Sequence, residues 1–134
     1  MKQKSKPEMP ELPKSSSDNL TSVAEVIAQL GQDCKVFREI VASIEVGLYS
    51  ELTGYLFCEM VSAMKQNAQI HVLLYPEIAA EYLMEGKLLL FGILTRPYGV
   101  QLTPLQADKM VFVEMGMMEL YTFYGDLLME INSK

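Results

Sequence analysis

The chain has 134 residues and a mass of 15.1 kDa, with 50% hydrophobic and 21% charged residues, which fits one globular domain and excludes a disordered polymer. A formal charge of −6 excludes a passive electrostatic grip on nucleic acid or anionic lipid as a first reading. One histidine, His71, and two cysteines, Cys34 and Cys58, leave too few ligands for most zinc sites and too few imidazoles for most catalytic dyads.

Residues 1–18 read as a disordered polar tail: four lysines, Pro7, Pro10 and Pro13, and little apolar beyond Met9 and Leu12. No apolar stretch follows the basic start, so no secretory signal is read and a cytoplasmic location is expected. A polar, serine-rich start also suits an export signal read by a dedicated machine, an unspecific pattern. The longest apolar run, Leu88 to Leu94, is far below the roughly 18 to 20 residues of a spanning helix, and no membrane insertion is expected. In a reducing compartment Cys34 and Cys58 are expected as free thiols, since neither has a CxxC neighbour.

Residues 19–134 read as a single globular domain. From Leu20, apolar residues recur at Val23, Ile27, Leu30, Cys34, Phe37, Val41, Ile44 and Leu48, in alternating steps of three and four. This heptad predicts a long helix, with Asp18 or Asn19 as its cap and Val26 and Ile40 widening the stripe to globular width. Gly47 is expected to break or bend the chain. Ser50 then caps a second helix with Leu52, Leu56, Met60 and Met64 on one face, ending near Lys65 and Asn67. Residues 20–66 form either a hairpin or one bent rod.

Ile70 to Tyr75 is a short apolar run stopped by Pro76 and predicts a buried strand. A brief helix follows from Pro76, carrying Ile78, Ala79, Tyr82 and Leu83 and ended by Gly86. Leu88 to Thr95 predicts a second strand with a bulge at Gly92, and Arg96 to Gly99 a turn into a return strand over Val100 to Leu102. Thr103, Pro104 and Gln106 then make a capping box with proline at the first helical position. The last helix carries a second heptad at Met110, Val113, Met117, Leu120, Tyr124, Leu127 and Ile131. Val111, Met118, Tyr121 and Leu128 form an adjoining row, so one partner helix cannot cover this apolar face.

The expectation is therefore an α+β fold: two N-terminal helices, a small three-stranded sheet with a short helix, and a long C-terminal helix. An all-α helical bundle is the alternative. Two wide apolar helices in so small a domain also predict a homodimer or a hetero-complex with another protein.

No catalytic motif of the GxSxG, HExxH, P-loop or GxGxxG kind occurs, so no catalytic residue, cofactor or metal is assigned. His71, among apolar neighbours, reads as a core-edge histidine before it reads as a base. Glu77, Glu81 and Glu85 share one helix face, which is either solvated or turned to a basic partner or a divalent cation. The turn before the last helix has the outline of a helix-turn-helix, but an acidic, apolar second helix would repel DNA.

The ten methionines are the unusual feature, with Met110, Met115, Met117, Met118 and Met129 on the last helix. Flexible thioethers either fill a helical core or form a face that repacks against differing apolar partners; Met115 and Met118 lie off the seam. Copper(I) capture lacks accompanying cysteine or histidine on that helix. Arg96 and Tyr98 at a turn are candidate contact anchors, since both residue types are common in interfaces. The expected partner-binding residues are therefore Met110, Met115, Met117, Met118, Tyr121, Arg96 and Tyr98. They suit a non-enzymatic cytoplasmic adaptor or chaperone-like subunit that holds an apolar helix or segment of a partner. The alternatives are a small apolar-ligand-binding or regulatory protein and, more remotely, an enzyme using His71 or the Glu77 helix.

Overall fold

The structure, a computed structural model, describes residues 16–133, with side chains from residue 24 on. Four helices make it up: α1 Ser16–Glu45, α2 Glu51–Leu74, α3 Pro76–Leu94 and α4 Pro104–Asn132. No strand occurs among the described residues. The expected α+β architecture is overturned, and the all-α bundle takes its place. Helix α1 begins at Ser16, so Asp18 and Asn19 lie inside the helix instead of capping it. Residues 1–15 and the side chains of Leu20 and Val23 lie outside the described residues.

Helix α1 buries Leu30, Cys34, Phe37, Ile40, Val41 and Ile44, the a/d/g stripe of its heptad. It stops at Gly47, whose φ of 77° suits the left-handed end of a helix. The Gly47 N–H donates to Ile44 O at 3.1 Å and the Leu48 N–H to Ser43 O at 2.8 Å, the two bonds of a Schellman motif. Leu48, nominally the next heptad position, therefore lies past the helix and is exposed. Ser50 caps α2, its hydroxyl accepting from Thr53 N–H. Residues 20–66 thus form a hairpin, with Phe37 edge-on to Phe57 across it at 5.4 Å.

The predicted strand over Ile70 to Tyr75 is instead the last turn of α2, to Leu74, with Tyr75 as its C-cap. Adding residues to an existing helix avoids the nucleation cost, and only Ile70 and Val72 in this run are β-branched. Pro76 marks the first position of α3, where its missing N–H costs no helical bond. Tyr75 serves both helices, its N–H donating to His71 O and its carbonyl accepting from Ile78 N–H. The predicted strand from Leu88 is the second half of α3, with the expected bulge residue Gly92 inside the helix. Leucine favours helix, and the buried set Ala79, Tyr82, Leu83, Gly86, Leu90 and Ile93 keeps helical spacing straight through the run. Gly86 does not end the helix, because it is where α3 meets the ring of Tyr124.

The predicted return strand, Val100 to Leu102, is part of an irregular link between α3 and α4. Glu45 at the end of α1 accepts the Gly99 N–H at 2.9 Å and ties this link down. Both halves of the Thr103/Gln106 capping box form at the start of α4.

One core joins all four helices. The α1/α2 hairpin lies on the α3/α4 hairpin, α1 along α3 and α2 along α4, with the closest packing between α3 and α4 and the loosest between α1 and α2. Two glycines set the closest approaches: a Cβ on Gly86 would lie 2.3 Å from Tyr124 Cε2, and one on Gly116 would lie 2.5 Å from Phe57 Cε2.

Candidate partner-binding groove

Helices α2 and α4 run in the same direction, and Gly116 lets them close over Phe57. On the solvent side of that contact lies a groove of about 570 Å³, open to water. Phe57, Cys58, Val61, Ser62 and Lys65 of α2 form one wall, and Phe112, Met115, Gly116 and Glu119 of α4 form the other. The floor is preorganised, since Phe57 is buried and its ring sits 6.1 Å from that of Phe112 and 5.4 Å from that of Phe37.

The channel continues along α4 into a second compartment of about 350 Å³, lined by Lys65, Met118, Glu119, Thr122, Phe123 and Asp126. The Lys65 ammonium pairs with the Glu119 carboxylate at the boundary between the two, and lies 5.5 Å from the centre of the Phe123 ring. The first compartment is therefore apolar with a hydroxyl and a thiol, and the second is edged with charge.

Of the expected contact residues, Met110 and Met117 are in the core at 1% exposure each, out of reach of any partner of the closed bundle. They occupy the seam positions of the heptad, where filling the interior outweighs exposure to solvent. Met115, 66% exposed, and Met118, 50% exposed, lie in the first and second compartments. Tyr121 is half-buried on the α3 side of α4, with the Lys87 ammonium 4.6 Å from its ring centre. Arg96 and Tyr98 lie apart from the groove, in the α3/α4 link, with Val41, Glu45 and Glu114 nearby. The Tyr98 hydroxyl donates to Glu114, and partial burial with the carboxylates of Glu114 and Glu45 pushes its pKa up to about 12. Tyr98 is committed to holding the link.

Phe57, Cys58, Lys65, Phe112, Glu119 and Phe123 were not among the expected contacts. The α4 wall was nonetheless readable: Phe112, Met115, Glu119, Thr122 and Asp126 recur in steps of three and four, a row on the exposed face of α4 turned away from the core seam. The α2 wall carries no such signal, because which side of α2 meets α4 is a tertiary outcome.

Elsewhere, Glu25, Gln29, Asp33, Asn67, His71 and Tyr82 edge a smaller cleft of about 190 Å³ where α1, α2 and α3 meet. The His71 Nδ1 hydrogen donates to Asn67 O at 2.7 Å, and the ring stacks on Tyr82 at 4.6 Å and 11°. Glu77 and Glu81 are exposed on α3. Among the described residues no cluster of His, Cys, Asp and Glu is arranged to hold a metal, and no helix is long and apolar enough to cross a membrane. No protein-family model, curated protein or solved structure matches this chain.

Proposed function

We propose that this chain is a non-enzymatic cytoplasmic interaction subunit, an adaptor or chaperone-like protein, that holds an apolar helix of a partner along the α2/α4 groove. The observation that carries this reading is exposed Phe112, Met115 and Met118 along an open channel whose floor, Phe57 against Gly116, is already packed. From Phe112 to Asp126 the channel runs about 21 Å, enough for roughly four turns of a docked helix. Methionine walls repack around the apolar side chains of a docked helix. Two free thiols, buried Cys34 and exposed Cys58, suit a reducing compartment. His71 is held by a bond to a backbone carbonyl and by stacking on Tyr82.

The test is the native mass of the protein isolated from its own source without detergent, for the wild type and for Met115→Gln/Met118→Gln. Both residues are exposed, so the double variant keeps its fold. The wild type is expected well above 15.1 kDa, with a second chain that protects the groove from hydrogen exchange, and the variant at the bare mass. A wild type at the bare mass, a dimer of this chain alone, or an assembly indifferent to both substitutions overturns the reading.

A further inference from the structure

We infer, resting on the groove reading above, that the occupant is a partner helix carrying a basic side chain about eleven residues from its apolar anchor, placed to enter the second compartment beside Asp126. The two compartments differ in chemistry. The first offers aromatic and thioether surface at Phe112 and Met115. The second faces the occupant with two carboxylates, Glu119 and Asp126, and one ammonium, Lys65. Lys65 pairs with Glu119, and among the described residues Asp126 has no cation within ion-pair distance. Among the described residues the compartment is one positive charge short of neutral.

An occupant makes that shortfall matter. In the open groove the carboxylates are solvated, and the Lys65–Glu119 pair, with side chains 27% and 61% exposed, contributes little and rearranges cheaply. A helix laid over them removes water, and a desolvated carboxylate without a counter-charge is costly. An apolar residue at that position leaves Asp126 uncompensated, an acidic one adds repulsion, and a lysine or arginine balances the compartment. The wider field acts in the same direction: residues 16–133 carry fifteen carboxylates against six lysines and arginines, which draws a basic segment in.

The spacing follows from α4 itself. The exposed thioether of the apolar compartment, Met115, and the Asp126 carboxylate of the charged one lie eleven residues apart on α4, about 16 Å along the axis. A helix docked alongside has the same rise and must separate its apolar anchor and its basic residue by the same count. In sequence the partner thus reads as an apolar pair at helical spacing with Lys or Arg about eleven residues away.

The test is selection of a displayed library of 18-residue helical peptides on the full-length chain, in the wild type and with Asp126→Asn, Asp126→Lys and Met115→Gln. Lys or Arg is expected to be enriched about three- to tenfold, the range of a partly desolvated charge pair, about eleven residues from the apolar anchor. The preference should vanish on Asp126→Asn and turn to Glu on Asp126→Lys. Peptides whose binding needs Met115 but shows no basic preference, or one that survives Asp126→Asn, overturn this inference and leave the groove reading standing. A selection that yields no helix dependent on Met115 counts against both.

Discussion

At the scale of single residues, the bundle is held to its present geometry by two glycines at helix–helix contacts where a neighbouring helix leaves no room for a Cβ. Gly86 and Gly116 each face an aromatic ring at under 3 Å from where that carbon would sit, whereas Gly92, in the same helix as Gly86, faces open space. Gly86→Ala should therefore cost about 1 to 3 kcal/mol by forcing Tyr124 aside. Gly92→Ala should add about 0.5 to 1 kcal/mol, the helix-propensity difference alone. Urea midpoints of the two variants should fall on opposite sides of the wild type; shifts of the same sign would contradict the packing.

Tyr124 carries a second residue-scale consequence. Its hydroxyl is buried and has no hydrogen-bond partner among the described residues. Burial pushes this phenol well above its ordinary range, with Tyr82 and Cys34 beside it adding to the shift, and burial likewise pushes the Cys34 thiol up to about 11. The folded state keeps these protons while the unfolded chain releases them. Stability is thus fully present below about pH 9 and is lost as pH rises, first through Cys34 and, above about pH 10, through the tyrosines. Tyr124→Phe removes the orphaned hydroxyl and should be neutral or stabilising by about 1 kcal/mol at pH 7. Its urea midpoint should also fall less steeply above pH 10; an unchanged slope would place the phenol in solvent.

At the scale of elements, the run from Leu88 to Leu94 decides between helix and strand. In a strand Leu88 and Leu90 would share a face; in α3 they do not, with Leu88 61% exposed and Leu90 fully buried. Leu88→Lys should change stability by less than about 0.5 kcal/mol, and Leu90→Lys should cost more than about 3 kcal/mol or abolish folding. Equal sensitivity in chemical denaturation would restore the strand. The caps carry a smaller test: Thr103→Ala should cost about 1 kcal/mol through loss of the capping box that starts α4.

The same runs mark the limit of what the amino-acid order discloses. Where polar residues interrupt the pattern, as along α1 and α4, the buried set follows the heptad, and Gly47, Ser50 and Thr103 bound the helices through their own backbone chemistry. Where every residue is apolar, periodicity vanishes, and a glycine near the run is read as an end, as Gly86, or as a bulge, as Gly92, when both lie within one helix. Helix α2 shows another limit. Of the expected face Leu52, Leu56, Met60 and Met64, Met64 is buried as expected but Leu52 and Leu56 are exposed, and Phe57, Val61 and Ala68 are buried in their place. Phe57 fits against Phe37 and the bare backbone of Gly116, so the fit to neighbouring helices sets the face. For the groove, Met115 and Met118 stood out as methionines off the seam, while Cys58, Ser62 and Lys65 depend on which side of α2 meets α4.

At the scale of the whole molecule, the described residues divide into a closed core without a single buried charged or amide side chain and an exterior that retains apolar rows. Their excess of carboxylates opposes self-association of such a surface and favours cationic over anionic segments. The central claim is that α2 and α4 together hold a partner's helix. Its most direct measurement is photo-cross-linking from position 115, with position 84 on the far side of α3 as the reference, in the full-length chain expressed in its own source. Met84 is also an exposed methionine, so the two probes differ in place and not in chemistry. The account predicts adducts from 115 that map to one amphipathic helix of a single partner, and few or none from 84. Equal labelling from both positions, or adducts from 115 scattered over many unrelated segments, would contradict it.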